Sequence, residues 1–231
     1  MTRATELVFL PGFDGAAELR RPFLDAIAQR FATRAVSYPN RALQTLNGYA
    51  RFASETSGAE ARPVLIAESF SGLVAVRWAA RDPHVAGVVL CASFARNPQA
   101  WLASLGASLP FAVKLGAHLL PSITLASPDA LRRQWSSGLS RTLASLEDAV
   151  VAERLRMIAE EDMSEALGAL RIPVVLVQFE GDRVIGARAR RELEAACPRA
   201  EILRIDGPHF ALETRPAECA EAIALRVGAL F

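Results

Sequence analysis

The segment Ala67-Glu68-Ser69-Phe70-Ser71-Gly72 holds residue types that can do nucleophilic chemistry. A serine hydroxyl is a useful nucleophile only when it is exposed, near a base, and near donors that receive a developing oxyanion. Val64-Leu65-Ile66 before it has strand character, and Phe70–Arg81 after it reads as a helix apolar nearly all round, hence buried. A sharp strand-to-helix turn exposes the serine, and small residues two places either side let strand and helix approach; Ala67 and Ser71 are both small. A helix starting at Phe70 aims its first N–H groups at the same spot, which favours negative charge there. A plain turn with a capping serine would contain the same residues, so the segment needs partners elsewhere. Only three histidines are available as a base near neutrality. His84, in Asp82-Pro83-His84, reads as a surface turn residue, and His118 lies in an apolar stretch. His209 lies in Asp206-Gly207-Pro208-His209-Phe210, between a strand and the closing helix.

The elements that must position these groups follow from periodicity. Short apolar runs alternate with helical patterns, which is the signature of a parallel sheet covered on both faces. Strands are expected at Leu7–Leu10, Arg34–Tyr38, Pro63–Ala67, Val85–Cys91, Val174–Phe179 and Glu201–Ile205. Helices are expected over Leu19–Phe31, Leu43–Glu55, Phe70–Arg81, Arg188–Ala196 and Pro216–Leu230. From Ala95 to about Leu170 no strand pattern appears, and the stretch reads as several helices. Neither an internal repeat nor a low-complexity linker interrupts the chain.

This arrangement resembles the α/β-hydrolase superfamily, whose nucleophile elbow is written G-x-S-x-G; here Ala67 and Ser71 replace both glycines, and Gly72 stands one place further on. The resemblance implies an α/β-hydrolase fold of about six mostly parallel strands flanked by helices, beginning at the strand that carries the oxyanion loop. That loop would be Leu10-Pro11-Gly12-Phe13-Asp14-Gly15, and the backbone N–H groups of Phe13 and Phe70 would form the oxyanion hole. Asp14 has a simpler use, bonding its own turn. The order Ser, then Asp or Glu, then His is implied next. Glu180-Gly181-Asp182-Arg183-Val184 follows a late strand, so Asp182 is the implied acid, with Glu180 behind it. His209 is the implied base, and Asp206 is a second possible partner for it. Ser69, Asp182 and His209 are thus the expected catalytic residues. The core would comprise residues 1–94 and 171–231, with 95–170 inserted as a helical cap.

The cap region bears on substrate. Trp101 to Pro128 contains one formal charge, Lys114, among many leucines. It reads as a cap partly lining an apolar pocket, against the alternatives of an interfacial helix pair or a purely structural layer. Leu143–Met163 carries mixed charge and reads as a solvated outer helix. The expected reaction is hydrolysis of a carboxylic ester or thioester with an apolar acyl group, through an acyl-enzyme on Ser69. Two alternatives stay open: a Ser-His-Asp enzyme of another type (C–C bond hydrolase, perhydrolase or hydroxynitrile lyase-like), and a non-catalytic ligand-binding member of the fold. No cofactor and no metal are expected. All but one of the 26 basic residues are arginine, yet the formal net charge is only +1, so no strong field points to nucleic acid or anionic lipid. No apolar run reaches membrane-spanning length. The three cysteines share no metal or disulfide spacing, and Cys91 and Cys219 read as core. A cytoplasmic location and a small ester-type partner are the expectations.

Overall fold

A computed structural model of the protein describes residues 5–59, 62–98 and 130–231. Six strands form one sheet: β1 (Glu6–Leu10), β2 (Ala32–Ala35), β3 (Pro63–Glu68), β4 (Gly87–Cys91), β5 (Val174–Phe179) and β6 (Glu201–Ile205), in the order β2-β1-β3-β4-β5-β6. Every neighbouring pair is parallel. The four inner strands are buried at every residue, as their unbroken apolar runs require, while the outer two alternate or are exposed. Strand order reverses between β1 and β3, one connection leading outward to β2 and the next to the far side. Ligand crevices form at such a switch point, beyond the C-terminal ends of the strands.

The helices are α1 (Arg21–Ile27), α2 (Leu46–Ser57), α3 (Ser71–Ala79), α4 (Ala130–Ser145), α5 (Asp148–Glu160), α6 (Ser164–Ala169), α7 (Ala187–Ala196), α8 (Ala211–Thr214) and α9 (Pro216–Leu230). Because strand side chains alternate, each strand feeds two cores. Leu7, Phe9, Val64, Ile66, Val175 and Val177 meet α1 and α9 through Phe23, Ile27, Ile223 and Val227. Val8, Leu10, Leu65, Val88, Leu90 and Leu176 meet α2, α3 and α7 through Tyr49, Ala53, Leu73, Val76 and Leu193. Cys91 and Cys219 lie fully buried in the first of these cores. Burial first, with Cys219 and Glu68 adding to it, holds the Cys91 thiol well above its ordinary range, and burial is the main reason the Cys219 thiol is pushed up to about 12.

Three expectations needed adjustment. The second strand is Ala32–Ala35, not Arg34–Tyr38. Val36 and Tyr38 still point into the core, with the Val36 N–H donating to Phe9 O at 3.0 Å and the Tyr38 N–H to Gly15 O at 2.8 Å. The helix expected over Leu19–Phe31 is split into a short 3-10 turn, Ala17–Arg20, and α1, with Pro22 in the first turn of α1 where its missing N–H is harmless. The third concerns the mixed-charge stretch Leu143–Met163, which is not a solvated outer helix. It comprises the end of α4, a turn and α5, and α5 buries Val150, Val151, Glu153, Arg154, Met157 and Ile158. Those positions recur at spacings of three and four, so Arg154 sits on the apolar stripe itself. The described residues of the interposed region, 95–98 and 130–170, contain no strand, as expected. His118 and the apolar stretch Trp101 to Pro128 lie outside the described residues.

The approach of α3 to the end of β4 depends on Gly72. A Cβ there would lie 1.8 Å from Ser93 Oγ and 2.8 Å from Ser93 Cβ. Gly72→Ala should therefore destabilise the fold by roughly 1–3 kcal/mol, the usual range for overpacking, read as a lowered melting temperature. Adding Ser93→Ala should recover only part of the loss, because the Ser93 Cβ remains. A Gly72→Ala protein that melts with the wild type would mean that the helix can move away without penalty.

Candidate active site

Ser69 follows β3 at a half-buried position and adopts φ +50°, the left-handed region that non-glycine residues avoid. Such a conformation costs about 1–3 kcal/mol and persists only where neighbours over-determine it. Here they do. The Ser69 N–H donates to Cys91 O (2.8 Å), while Ser69 O accepts from Ser93 Oγ (2.8 Å) and from the Gly72 N–H (3.0 Å). The elbow is thus tied down by the end of β4 and by the start of α3.

Ser71, which the sequence offered only as a small residue, uses its hydroxyl. Its Oγ donates to Pro11 O, joining the elbow to the loop after β1. Having used its only hydrogen, Ser71 accepts from the Tyr38 hydroxyl at 2.7 Å. Burial raises the Tyr38 phenol well above its ordinary value, which keeps it a donor.

The loop after β1 is pinned on both sides of Phe13. Gly12 O accepts from the Gly15 N–H at 3.1 Å. The Gly12–Phe13 peptide is planar and trans, so fixing that carbonyl fixes the opposite direction of the Phe13 N–H. Phe13 O accepts from Arg154 Nη1, and Arg154 Nε donates to Tyr49 Oη at 3.0 Å. The Arg154 guanidinium also lies 5.5 Å from the ring centroids of Tyr38 and Tyr49. Phe70 is buried at the N-terminus of α3. No hydrogen bond among the described residues occupies the backbone N–H of Phe13 or of Phe70.

Asp182 and His209 are brought together. Asp182 Oδ2 lies 2.8 Å from His209 Nδ1, and both side chains are buried. Asp182 Oδ1 accepts from the backbone N–H groups of Val184 and Ile185, each at 2.8 Å, which holds the carboxylate in one orientation. The two loops are stitched by Glu180 N–H to Ile205 O (3.0 Å) and Gly181 N–H to Gly207 O (2.9 Å). A carboxylate only accepts, so the bond assigns the imidazole hydrogen to Nδ1 and leaves Nε2 as the basic nitrogen. No hydrogen bond joins Ser69 Oγ to His209. The other candidates lie elsewhere. Glu180 and His84 are exposed, and Asp206 pairs with Arg215 at 3.0 Å. The apolar surroundings come from α4: the Trp135 ring packs tilted on Phe210, centroids 4.7 Å apart, and with Leu139 and Leu143 forms a cluster that also touches Phe13.

Beneath the site lies a buried charge cluster that no local pattern announces. Arg20 is fully buried among three carboxylates. It grips Glu68 bidentately (Nε–Oε2 2.6 Å, Nη2–Oε1 2.9 Å) and Asp14 through Nη1 at 2.7 Å. Asp14 Oδ1 also accepts from the Ala16 N–H at 2.9 Å, the turn bond expected of it. Glu213 Oε1 is 3.0 Å from Arg20 Nε, but neither Glu213 oxygen has a hydrogen-bond partner. Burial works against the charge on Arg20, yet Asp14, Glu68 and Glu213 outweigh it and raise its pKa. Burial first, and Glu68 next, hold the Glu213 carboxyl well above the ordinary carboxylate range. Among the described residues, no three His, Cys, Asp or Glu side chains are gathered so as to hold a metal ion.

Comparison with known proteins fits this architecture. The model of the alpha/beta hydrolase family matches residues 7–222, so the chain belongs to that family. Among its relatives is the pimeloyl-[acyl-carrier protein] methyl ester esterase of Aromatoleum aromaticum, 33% identical over 174 residues, covering 67% of this chain and 70% of that one. The enol-lactonase from Burkholderia xenovorans LB400 superposes with a TM-score of 0.76 at 19% identity, over 96% of this chain and 90% of that one. The esterase RhEst1 from Rhodococcus sp. ECU1013 does so with a TM-score of 0.77 at 18% identity, over 99% and 92%. At those identities the two structures show the shared fold alone. Family membership and the esterase-named relative together put the chain among the hydrolases. No described helix is long and apolar enough to cross a membrane.

Glu213 sets a pH dependence. A carboxyl whose pKa is raised on folding gives stability that is full below its unfolded value, about 4.3, and is lost as pH rises toward the folded value. Glu213→Gln removes that loss. In chemical denaturation, the stability of Glu213→Gln relative to wild type should therefore rise above pH 4.3 by about 1.4 kcal/mol per pH unit, until the folded pKa is reached. A difference that stays constant between pH 4 and 8 would mean that Glu213 folds ionised.

Proposed function

We propose that this protein is a serine hydrolase of carboxylic esters or thioesters with an apolar acyl group, working through an acyl-enzyme on Ser69. The observation that carries the reading is the buried Asp182–His209 pair, 2.8 Å apart, beyond the same C-terminal end of the parallel strands as a serine held at φ +50°. Ser69 Oγ attacks the acyl carbon as His209 Nε2 takes its proton, and Asp182 stabilises the imidazolium. The carbonyl oxygen becomes an oxyanion received by the Phe13 and Phe70 N–H groups. The tetrahedral intermediate collapses, and His209 returns the proton to the departing alkoxide or thiolate. Water, deprotonated by His209, then releases the carboxylic acid and restores the Ser69 hydroxyl.

The esterase activity in the name of the Aromatoleum aromaticum relative supports an ester as the bond cleaved. An apolar acyl group is supported by the half-buried Phe13 and by Trp135 packed on Phe210, next to the proposed base. In this reading residues 95–170 form the cap, and residues 1–94 and 171–231 form the catalytic core.

A fluorophosphonate probe should label the wild type and not Ser69→Ala, read by mass spectrometry of the modified peptide. With activated esters of increasing chain length, His209→Ala should lower kcat by roughly 10⁶ if the three residues act as a unit. A wild type that resists the probe overturns the reading. A wild type that labels but hydrolyses no ester retains the nucleophile and moves the reaction to another Ser-His-Asp chemistry of the fold.

A further inference from the structure

Arg20 touches three segments, each next to a different part of the proposed machinery. Asp14 follows Phe13, whose N–H is the proposed oxyanion donor. Glu68 is the last residue of β3 and precedes Ser69. Glu213 lies in α8, the helix that opens directly after His209 and Phe210. Arg20 itself closes the 3-10 turn before α1, so it belongs to none of these segments. From the functional reading above, on which this rests, we infer that Arg20, through Asp14 and Glu68, is a positioning residue. One guanidinium sets the oxyanion loop and the nucleophile elbow in register with each other.

The geometry favours registry over general adhesion. The Glu68 contact is bidentate and planar, which fixes direction as well as distance, and lysine cannot reproduce it. The Asp14 contact uses Nη1, leaving Nε and Nη2 to Glu68, so one rigid plane relates two loops. Arg20 Nη1 also reaches Ala16 O at 3.3 Å, on the far side of the Asp14 turn. Gly12 lines the same space: a Cβ there would come within 3.2 Å of Arg20 Nη2 and 3.5 Å of the Glu68 carboxyl carbon. Buried ion clusters are a poor source of stability against an apolar replacement, and registry is their best-attested use. Because the oxyanion and the imidazolium exist only during reaction, a loss of register should appear in kcat with KM little changed.

The test uses Asp14→Asn and Glu68→Gln, which keep shape and remove charge, with Arg20→Lys beside them. Val227→Ala, a cavity in the core below α9, controls for stability alone. Substrate is an activated short-chain ester, and Ser69 labelling is followed in parallel. Val227→Ala should lower the melting temperature and leave kcat unaltered. Asp14→Asn and Glu68→Gln should lower kcat about tenfold or more, with KM within about twofold, and slow the labelling in proportion. Arg20→Lys should keep the charge and still lower kcat, because an ammonium cannot hold Glu68 bidentately. If the isosteres melt lower yet retain kcat, as the control does, the inference is overturned. If neither isostere folds, the cluster is a folding element and the inference falls. A wild type that neither labels nor hydrolyses overturns the functional reading and this inference together. An active wild type with unaffected isosteres overturns the inference alone.

Discussion

The left-handed backbone at Ser69 is the constraint around which the rest of the site is arranged. It is unfavourable for any residue with a Cβ, so the surroundings must hold it. Cys91 O and Ser93 Oγ do so from the end of β4, which makes the β3–β4 register part of the site. The same turn requires α3 to start at once and to lie close to β4, which only a glycine at position 72 permits. Ala92, the residue after β4, is itself left-handed at φ +47° and is held by its N–H to Val177 O. The strain is thus spread over three adjacent strands, all of them deep in the sheet.

A second level of organisation uses buried charge. Two guanidiniums, Arg20 and Arg154, reach the loop after β1 from different directions, one through Asp14 and one through Phe13 O. The first comes from the turn before α1 and the second from α5, so the loop is held by both the core and the interposed helical region. Gly15, at φ +78°, lies against Arg154. A Cβ there would lie 2.8 Å from Arg154 Nη1. Glu153, the neighbour of Arg154, accepts the Leu43 N–H at 2.9 Å and also the Gln44 N–H, which anchors α5 to the segment before α2. A helix that looks solvated by composition is therefore one of the more constrained parts of the molecule.

The inner strands and the last helix were legible because their signals are local. Val174–Phe179 and Pro216–Leu230 form at the expected residues, since apolar runs and three-four spacing report burial directly. Asp182 and His209 were singled out by the resemblance to the α/β-hydrolases, in loops that follow strands, and the structure places the two side chains 2.8 Å apart. The second strand was misjudged because Val36 and Tyr38 alternate inward past its end, where the Val36 N–H still reaches Phe9 O but the Tyr38 N–H turns to Gly15 O, and periodicity cannot tell this from a strand. Arg154 was available as a signal. It occupies a stripe position between Val151 and Met157, and only its charge argued against burial.

By itself the sequence determined a parallel α/β architecture and the strand-end loops that hold serine, carboxylate and histidine side chains. Those properties depend on residue type and on spacing along one segment. The tertiary structure alone decided that Arg20 meets Asp14, Glu68 and Glu213, that Arg154 turns inward to Phe13 O, and that the Ser71 hydroxyl joins Pro11 to Tyr38. Each of these contacts joins residues from separate elements. The partners are polar groups whose burial is tolerable only once the others are present, so no single stretch of sequence announces them.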